Sequence, residues 1–174
     1  METRSAADPT ANQDRTTVER TSERELVVTR TIDGPPPSVF EAWTDADLFR
    51  QWWVPKSLGV TLLSCEMDVR VGGTYRFVYQ VDPTTTMAFF GRYLEVSPPS
   101  RLVWTNEEGE GDAVVTTVTF DEDQGRTRLV VHDLYPSKAA LDDAIASEST
   151  AGWPEMLDQL DELLLELGAG SEPA

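Results

Sequence analysis

The chain has 174 residues, of which 40% are hydrophobic and 26% are charged. This length fits one domain that buries a core without help from disulfides or metals. Acidic residues outnumber basic residues 31 to 14, and the formal net charge is −17. Such a charge repels phosphate backbones and anionic membranes, so we expect neither nucleic acid nor a membrane as a partner.

The single cysteine, Cys65, has no internal disulfide partner, and the sequence contains no zinc-type ligand spacing. No apolar run approaches the roughly 20 residues that cross a bilayer. Residues 1–10 lack the apolar stretch of a secretory signal. We therefore expect a soluble, cytoplasmic protein without a metal or a cofactor.

Residues 1–22 are polar and show no apolar periodicity, so they are predicted to be a disordered tail. Order begins with a strand over Glu25–Ile32, in which Leu26, Val28 and Arg30 alternate with their neighbours. The prolines that follow end this strand, because proline has no N–H to donate to a strand ladder.

Two short amphipathic helices are predicted next. The first covers Ser38–Thr44, and Asp45 or Asp47 is expected to cap the second, which carries Trp52 and Trp53. The apolar side chains of the first helix are Val39, Phe40 and Trp43.

Six further strands follow, separated by turn residues and linked closely enough to be antiparallel neighbours. They are predicted at Leu62–Asp68, Thr74–Val81, Met87–Val96, Arg101–Thr105, Ala113–Phe120 and Thr127–Leu134. Ser137 then caps a short helix. The strongest apolar periodicity predicts a long terminal helix that Gly168 and Gly170 end. Its apolar stripe is Trp153, Met156, Leu157, Leu160, Leu163, Leu164 and Leu167.

The terminal helix is too narrow for the sheet that these strands would form. A helix of about 18 residues is roughly 27 Å long and 10 Å wide, whereas seven strands at about 4.8 Å spacing span roughly 30 Å. We therefore expect the sheet to curl around the helix. The interior that remains is either filled by large aromatic side chains or left as a ligand cavity.

Several local strings, in this order and spacing, resemble the heat-shock-ATPase-activator homologues (AHSA-like proteins) of the START-like (SRPBCC) superfamily. They are VFEAW (39–43) with WWVP (52–55), DVRVGGTYRF (68–77), GRYLEV (91–96) with PPSRLVWT (98–105), and GWPEML (152–157). One departure is Val54, where many relatives carry glycine.

The resemblance implies an α+β helix-grip fold. In this fold, a curved antiparallel sheet of about seven strands wraps a long C-terminal helix, and two short helices follow the first strand. The START-like domain is expected over residues 23–168, with a C-terminal tail at 169–174. The superfamily includes small-molecule carriers, polyketide-cyclase-type proteins and chaperone cofactors, so the resemblance leaves the activity open.

Aromatic side chains are the candidate ligand contacts. Tyr75, Phe77 and Tyr79 share one face of a strand, because alternate strand residues point the same way. Buried phenol and indole hydrogens need an acceptor, which a ligand supplies if the protein does not. The residues predicted to line the cavity are Tyr75, Phe77, Tyr79, Trp104, Trp153 and Met156. The residues predicted at its entrance are Trp52 and Trp53. Plain core packing is the alternative for both sets.

Three functions stay open at this point. The first is a non-catalytic domain that binds a small apolar or aromatic molecule. The second is a polyketide-cyclase- or dehydratase-like enzyme that uses His132, Tyr75 or Tyr79, although the sequence contains no recognisable catalytic motif. The third is a chaperone-linked interaction module that uses an acidic helix face with Asp158, Asp161 and Glu162. A protein partner or a homodimer is compatible with each of them.

Overall fold

A computed structural model describes residues 16–107, 113–147 and 151–171, with backbone only for 168–171. The strands are β1 Thr16–Arg20, β2 Glu25–Ile32, β3 Thr61–Met67, β4 Thr74–Asp82, β5 Thr85–Ser97, β6 Arg101–Asn106, β7 Val114–Asp123 and β8 Arg126–Leu134. The helices are α1 Pro36–Thr44, α2 Ala46–Trp52, α3 Lys138–Ala146 and α4 Trp153–Ser171, with a short 3-10 turn at Lys56–Leu58.

All eight strands form one curved antiparallel sheet in the order β1-β2-β8-β7-β6-β5-β4-β3. Helices α1 and α2 follow β2, and α4 packs against β1 and β2 and against both short helices. This arrangement confirms the predicted helix-grip fold, with eight strands in place of about seven.

The additional strand lies inside the segment that the sequence predicts to be a disordered tail. Thr16–Arg20 pair with β2, in a register that places Thr16 opposite Arg30. Apart from Val18 this strand is polar, so it has no apolar alternation by which a sequence pattern could reveal it. Main-chain pairing holds it at the sheet edge. Residues 1–15 and 172–174, the remainder of the predicted tails, lie outside the described residues.

Local capping residues explain where the helices begin. The Asp45 carboxylate accepts hydrogen bonds from the N–H groups of Asp47 at 2.9 Å and Leu48 at 3.3 Å, which starts α2. The Ser137 hydroxyl caps α3 in the same way, at 3.1 Å from Ala140 N. Helix α4 continues through the predicted stop at Gly168 and Gly170 to Ser171.

Trp43 of α1 fills much of the space that α4 alone cannot cover. It is 1% exposed. Its ring centroid lies 4.8 Å from that of Trp52, 5.7 Å from Trp104 and 6.4 Å from Trp153. Edge-to-face and offset pairs at these distances are favourable beyond the area that they bury. The short helices therefore contribute part of the core rather than only closing one end of the sheet.

A buried cation joins α4 to the first two strands. Arg30 points inward from β2 and is 1% exposed. Its guanidinium donates to Asp158 Oδ1 at 2.6 Å, to Asp161 Oδ2 and to the Thr16 hydroxyl at 2.9 Å. A buried charge is tolerated only when partners of this kind surround it. Asp161 also accepts from the backbone N–H of Asp33 at 2.9 Å, so the cluster fixes the end of β2 as well.

We predict that Arg30→Met lowers the free energy of unfolding by about 3 kcal/mol, because it leaves two partly buried carboxylates without their cation. Urea unfolding at neutral pH measures the change. The additional replacements Asp158→Asn and Asp161→Asn should recover part of the loss.

The matched control is Arg101→Met. Arg101 pairs with Glu95 at 3.0 Å, but both side chains are more than 40% exposed. Its replacement should cost less than about 1 kcal/mol. Equal losses for the two variants would contradict a structural role for the Arg30 cluster.

Candidate functional site

A small space of about 30 Å³ lies between the sheet and the short helices, and we call it the inner cavity. The lining residues are aromatic or apolar except for Asn106. The residues that line it are Trp43, Phe49, Trp53, Met67, Tyr75, Phe77, Phe89, Tyr93, Leu102, Trp104 and Asn106. This volume holds about two water-sized groups and no ring.

A larger apolar space of about 300 Å³ opens beside it at the surface, and we call it the mouth groove. Residues 53–60, which we call the strap, form one wall with Trp53, Val54, Pro55, Leu58 and Val60. The hairpin of β4 and β5 forms the other wall with Tyr79, Val81, Met87 and Phe89. Gly152, Trp153 and Met156 at the start of α4 complete the groove.

Two side chains of α4 hold the strap in place. Gln159 is buried; its carbonyl oxygen accepts from Lys56 N at 2.8 Å, and its amide donates to the carbonyls of Trp52 at 3.0 Å and Val54 at 2.8 Å. Glu155 accepts from Ser57 N at 2.9 Å and from the Ser57 hydroxyl at 2.6 Å. The groove wall is therefore fixed to the helix by hydrogen bonds and not by packing alone.

The structure divides the predicted site residues between the two spaces. Tyr75, Phe77 and Trp104 line the inner cavity. Tyr79, Trp153 and Met156 line the mouth groove. Trp53 lines both. Trp52 is different: it is fully buried, and its indole N–H donates to the Ala42 carbonyl at 2.9 Å, so it forms part of the core and not of an entrance.

The polar hydrogens of two predicted contacts have acceptors within the protein. The Tyr75 hydroxyl lies 2.7 Å from the Thr105 carbonyl oxygen and 3.1 Å from Asn106 Oδ1. The Trp104 indole donates to Asn106 Oδ1 at 3.3 Å. The expectation that a ligand must satisfy buried phenol and indole groups therefore does not apply to these two residues.

Several residues that line the two spaces are outside the predicted set, and Phe89, Trp43 and Asn106 illustrate the reasons. Phe89 lines both spaces, and its inward direction follows from strand parity with Tyr93. Trp43 lies on the apolar face of α1, and its spacing in the sequence predicts only an amphipathic helix. Asn106 follows the last predicted residue of its strand, and nothing in the local pattern distinguishes it from a turn residue.

Gly152 permits a close approach between the start of α4 and the strap. A Cβ at this position would lie 2.9 Å from Pro55 Cγ, so the glycine brings α4 against the strap.

His132 lies on the outer face of β8, where its Nε2 is 2.9 Å from Glu25 Oε2. The hydrogen bond with His132 lowers the pKa of Glu25. His132 is not among the residues that line the inner cavity or the mouth groove. Its position gives no support to its proposed role as an acid or base inside the domain.

Asp133, the neighbour of His132, points inward and ends a chain of hydrogen bonds across three strands. The Thr116 hydroxyl donates to Asp133 Oδ1 at 2.5 Å, and Asn106 Nδ2 donates to the Thr116 oxygen at 2.9 Å. Because the Asn106 amide nitrogen donates to Thr116, its Oδ1 is left to accept from Trp104 and Tyr75. Burial raises the pKa of Asp133 to about 6, against the lowering effect of the Thr116 hydrogen bond.

The acidic face of α4 is partly engaged inside the protein. Asp158 and Asp161 bind Arg30, and only Glu162 of the three predicted docking residues is exposed. Reversing all three charges would therefore disrupt the Arg30 cluster as well as a surface.

Comparison with known proteins shows the family to which the chain belongs. The family model described as "Activator of Hsp90 ATPase homolog 1-like protein" matches residues 33–165. The chain belongs to this family. No curated protein matches the chain.

Solved structures agree with this assignment. A protein from Nitrosomonas europaea is 25% identical, with a TM-score of 0.76 over 86% of this chain and 99% of that one. A protein from Rhodobacter sphaeroides is 23% identical, with a TM-score of 0.80 over 87% and 99% of the two chains. The AHSA1-like protein from Aeromonas hydrophila is 20% identical, with a TM-score of 0.68 over 86% and 98%.

These matches show the START-like fold, which is a ligand-binding type of domain at the level of the family. Among the helices that the structure describes, none is both long and apolar enough to span a membrane.

We predict that Asp133→Asn stabilises the protein increasingly as the pH rises from about 4 to about 6. The folded-state pKa of about 6 lies above the usual value of 3.8, so the ionised carboxylate opposes folding. Above that range the gain should be constant and on the order of 3 kcal/mol. Urea unfolding of the variant and the native protein across this pH range measures the difference.

Thr116→Val provides a check on the cause. Removing the hydroxyl that stabilises the carboxylate should raise the pKa of Asp133 further, so that the loss of stability extends to higher pH. If the stabilities of the native protein and of Asp133→Asn changed with pH in parallel, the raised pKa of Asp133 would be contradicted.

Proposed function

We propose that this protein binds a small, uncharged, largely apolar or aromatic molecule in the mouth groove. The observation that carries the proposal is an open space of about 300 Å³ whose lining side chains are almost all apolar. Ligand sites typically have volumes from about 300 to 1,000 Å³ and this kind of lining. Leu58, Val81 and Met87 line the groove and are 64%, 41% and 47% exposed, which leaves apolar area available to a ligand.

Electrostatics favour a neutral ligand over an anion. The net charge of −17 disfavours anions in general, and no lysine or arginine is among the described side chains that line the groove. Trp53 and Trp153 pack edge-to-face with centroids 5.8 Å apart, and both line the groove. Rings of this kind give large contact area at a low cost in rotamer entropy, which suits a flat ligand.

The alternatives have less support from the described residues. Of the three candidate acids or bases of a cyclase-like enzyme, His132 is not among the residues that line either space, and the Tyr75 hydroxyl is bound to the Thr105 carbonyl. Tyr79 does line the groove, but no histidine or carboxylate is among the described residues that line it with Tyr79. A chaperone-linked docking face on α4 would have to use Glu162 and Glu166 rather than the aspartates that bind Arg30.

We predict that the neutral dye N-phenyl-naphthylamine binds with a dissociation constant on the order of 10 to 100 μM. Met87→Glu should weaken binding by at least about tenfold, because the ligand would have to bury a charge against an apolar surface. Dye fluorescence during titration measures both constants.

Leu94→Glu is the matched control. Leu94 lies on the same strand and is 46% exposed, close to the 47% of Met87, but it is not part of the groove. Its replacement should leave the dissociation constant unchanged. Equal weakening by the two variants, or no binding to the native protein, would refute the proposed function.

A further inference from the structure

A second groove, of about 630 Å³, lies between α1, the start of α2 and the C-terminal half of α4, and we call it the α1 groove. Among the described residues, it shares no lining residue with the inner cavity or the mouth groove. Its apolar lining includes Leu48, Leu164 and Leu167, and Leu167 is 40% exposed. The α1 groove therefore offers apolar contact area at a separate surface of the domain.

Hydrogen bonds and close packing hold one end of the α1 groove in place. The Gly34 carbonyl accepts from the Thr127 hydroxyl at 2.7 Å, and the Asp33 N–H donates to Asp161 at 2.9 Å. A Cβ at Gly34 would lie 3.4 Å from Leu164 Cδ1, so the loop before α1 packs directly on α4. A groove with a fixed wall loses little conformational freedom when an occupant binds.

Carboxylates line the α1 groove together with the leucines. They are Asp33, Glu41, Asp45 and Asp47, and no lysine or arginine is among the described residues that line it. Asp33 pairs with Arg126 at 3.3 Å. Within the described part of the chain, by contrast, neither Glu41 nor Asp47 forms an ion pair. The potential in the groove is therefore negative and favours a cationic occupant.

Helix stability explains two of these carboxylates but not Glu41. Asp45 caps α2, and Asp47 lies in its first turn, where the helix dipole favours negative charge. Glu41 lies in the last turn of α1, where the dipole favours a cation, and that turn contains no basic residue. A cation supplied by a partner would compensate this unfavourable placement.

The length of the α1 groove indicates the kind of partner that fits. The groove follows α1 from Pro35, before the helix, to Asp45, after it. The nine residues of α1 span roughly 13 Å, so an occupant helix of similar length would contact the whole groove. Helices form two sides of the groove, and an amphipathic helix is a common occupant of such an apolar groove.

We propose that the α1 groove binds a basic amphipathic helix of a partner protein. The apolar side chains of this helix pack on Leu48, Leu164 and Leu167. Its lysine or arginine side chains reach Glu41 and Asp47. A small organic cation would satisfy the carboxylates alone, whereas a helix of this kind also covers the leucines. The inference is independent of the ligand proposed for the mouth groove.

A labelled peptide tests the inference with the full-length protein. The probe is a fluorescein-labelled peptide of leucine and lysine, about 14 residues long, whose order gives one apolar and one basic helix face. We expect it to bind at low salt with a dissociation constant on the order of 10 to 100 μM, measured by fluorescence anisotropy. A peptide of the same composition, reordered so that leucine and lysine do not separate onto two faces, should bind at least about fivefold more weakly.

Matched pairs of substitutions separate the groove from the general attraction of an acidic protein for a basic peptide. Glu41→Gln with Asp47→Asn should weaken binding of the amphipathic peptide by about tenfold. Asp121→Asn with Glu162→Gln removes the same number of charges from exposed positions outside the groove, and it should change binding by less than about twofold. Leu167→Ser should weaken binding by about fivefold, because it removes apolar contact area. Equal losses for the two charge variants, or equal binding of the two peptides, would overturn the inference.

Two other occupants are distinguishable outcomes of the same experiment. A dimer in sedimentation that Leu167→Ser dissociates would assign the α1 groove to a second copy of the chain. NMR shifts in residues 1–15 on neutralising Glu41 and Asp47, without peptide, would assign it to the chain's own N-terminal segment. Either result would overturn the inference. Dye binding to the mouth groove should be unchanged in every variant, so failure of one proposal is distinguishable from failure of the other.

Discussion

A curved sheet of eight strands is wider than the single helix it encloses, and the way this mismatch is filled determines the rest of the structure. Helix α1 directs Trp43 into the gap, where it packs against Trp52, Trp104 and Trp153. These rings occupy most of the interior that a larger ligand cavity would need. Space large enough for a ring system is found instead at the surface, where the strap and the β4–β5 hairpin separate.

Helix α4 binds the first two strands and the strap through separate sets of polar side chains. Asp158 and Asp161 bind Arg30 and so hold the helix against β2 and β1. Glu155 and Gln159 bind the strap. Because both sets lie within two turns of one helix, a shift of α4 along the sheet would strain the groove wall as well. The shape of the groove therefore depends on a salt-bridge cluster on another face of the same helix.

Much of the fold could be predicted from the sequence because apolar periodicity and turn residues act locally. The strand Glu25–Ile32 was predicted with the bounds that the structure gives, and the inward direction of Arg30 follows from its alternation with Val28. Strand β1 could not be predicted, because backbone pairing holds a polar segment that has no periodic signal. The bounds of α4 were also wrong at the C-terminus, where two glycines do not end the helix.

The site was less accessible to sequence reasoning, because it depends on which side chains meet across distant elements. The pattern could place Tyr75, Phe77 and Tyr79 on one face of a strand, but it could not show how the space around them divides. The Asp133–Thr116–Asn106 chain joins residues from three strands, and no local motif contains it. The chain nevertheless has a specific effect. Because the Asp133 carboxylate accepts from Thr116, the Thr116 oxygen in turn accepts from the Asn106 amide nitrogen. The Asn106 oxygen is therefore left to face Trp104 and Tyr75.

The buried tryptophans differ in whether their indole N–H has a hydrogen-bond acceptor within the protein. Trp104 obtains its acceptor from Asn106, and therefore indirectly from Asp133, whereas Trp52 uses a helix carbonyl. Trp43 is as deeply buried as Trp52 and lies within 5.7 Å of Trp104, centroid to centroid, yet its N–H has no comparable acceptor among the described residues. A fold selected only for packing would favour phenylalanine at this position, because phenylalanine fills space without a donor to satisfy. An indole also offers more ring area than phenylalanine, and its contacts with Trp52, Trp104 and Trp153 offset the cost of the donor here.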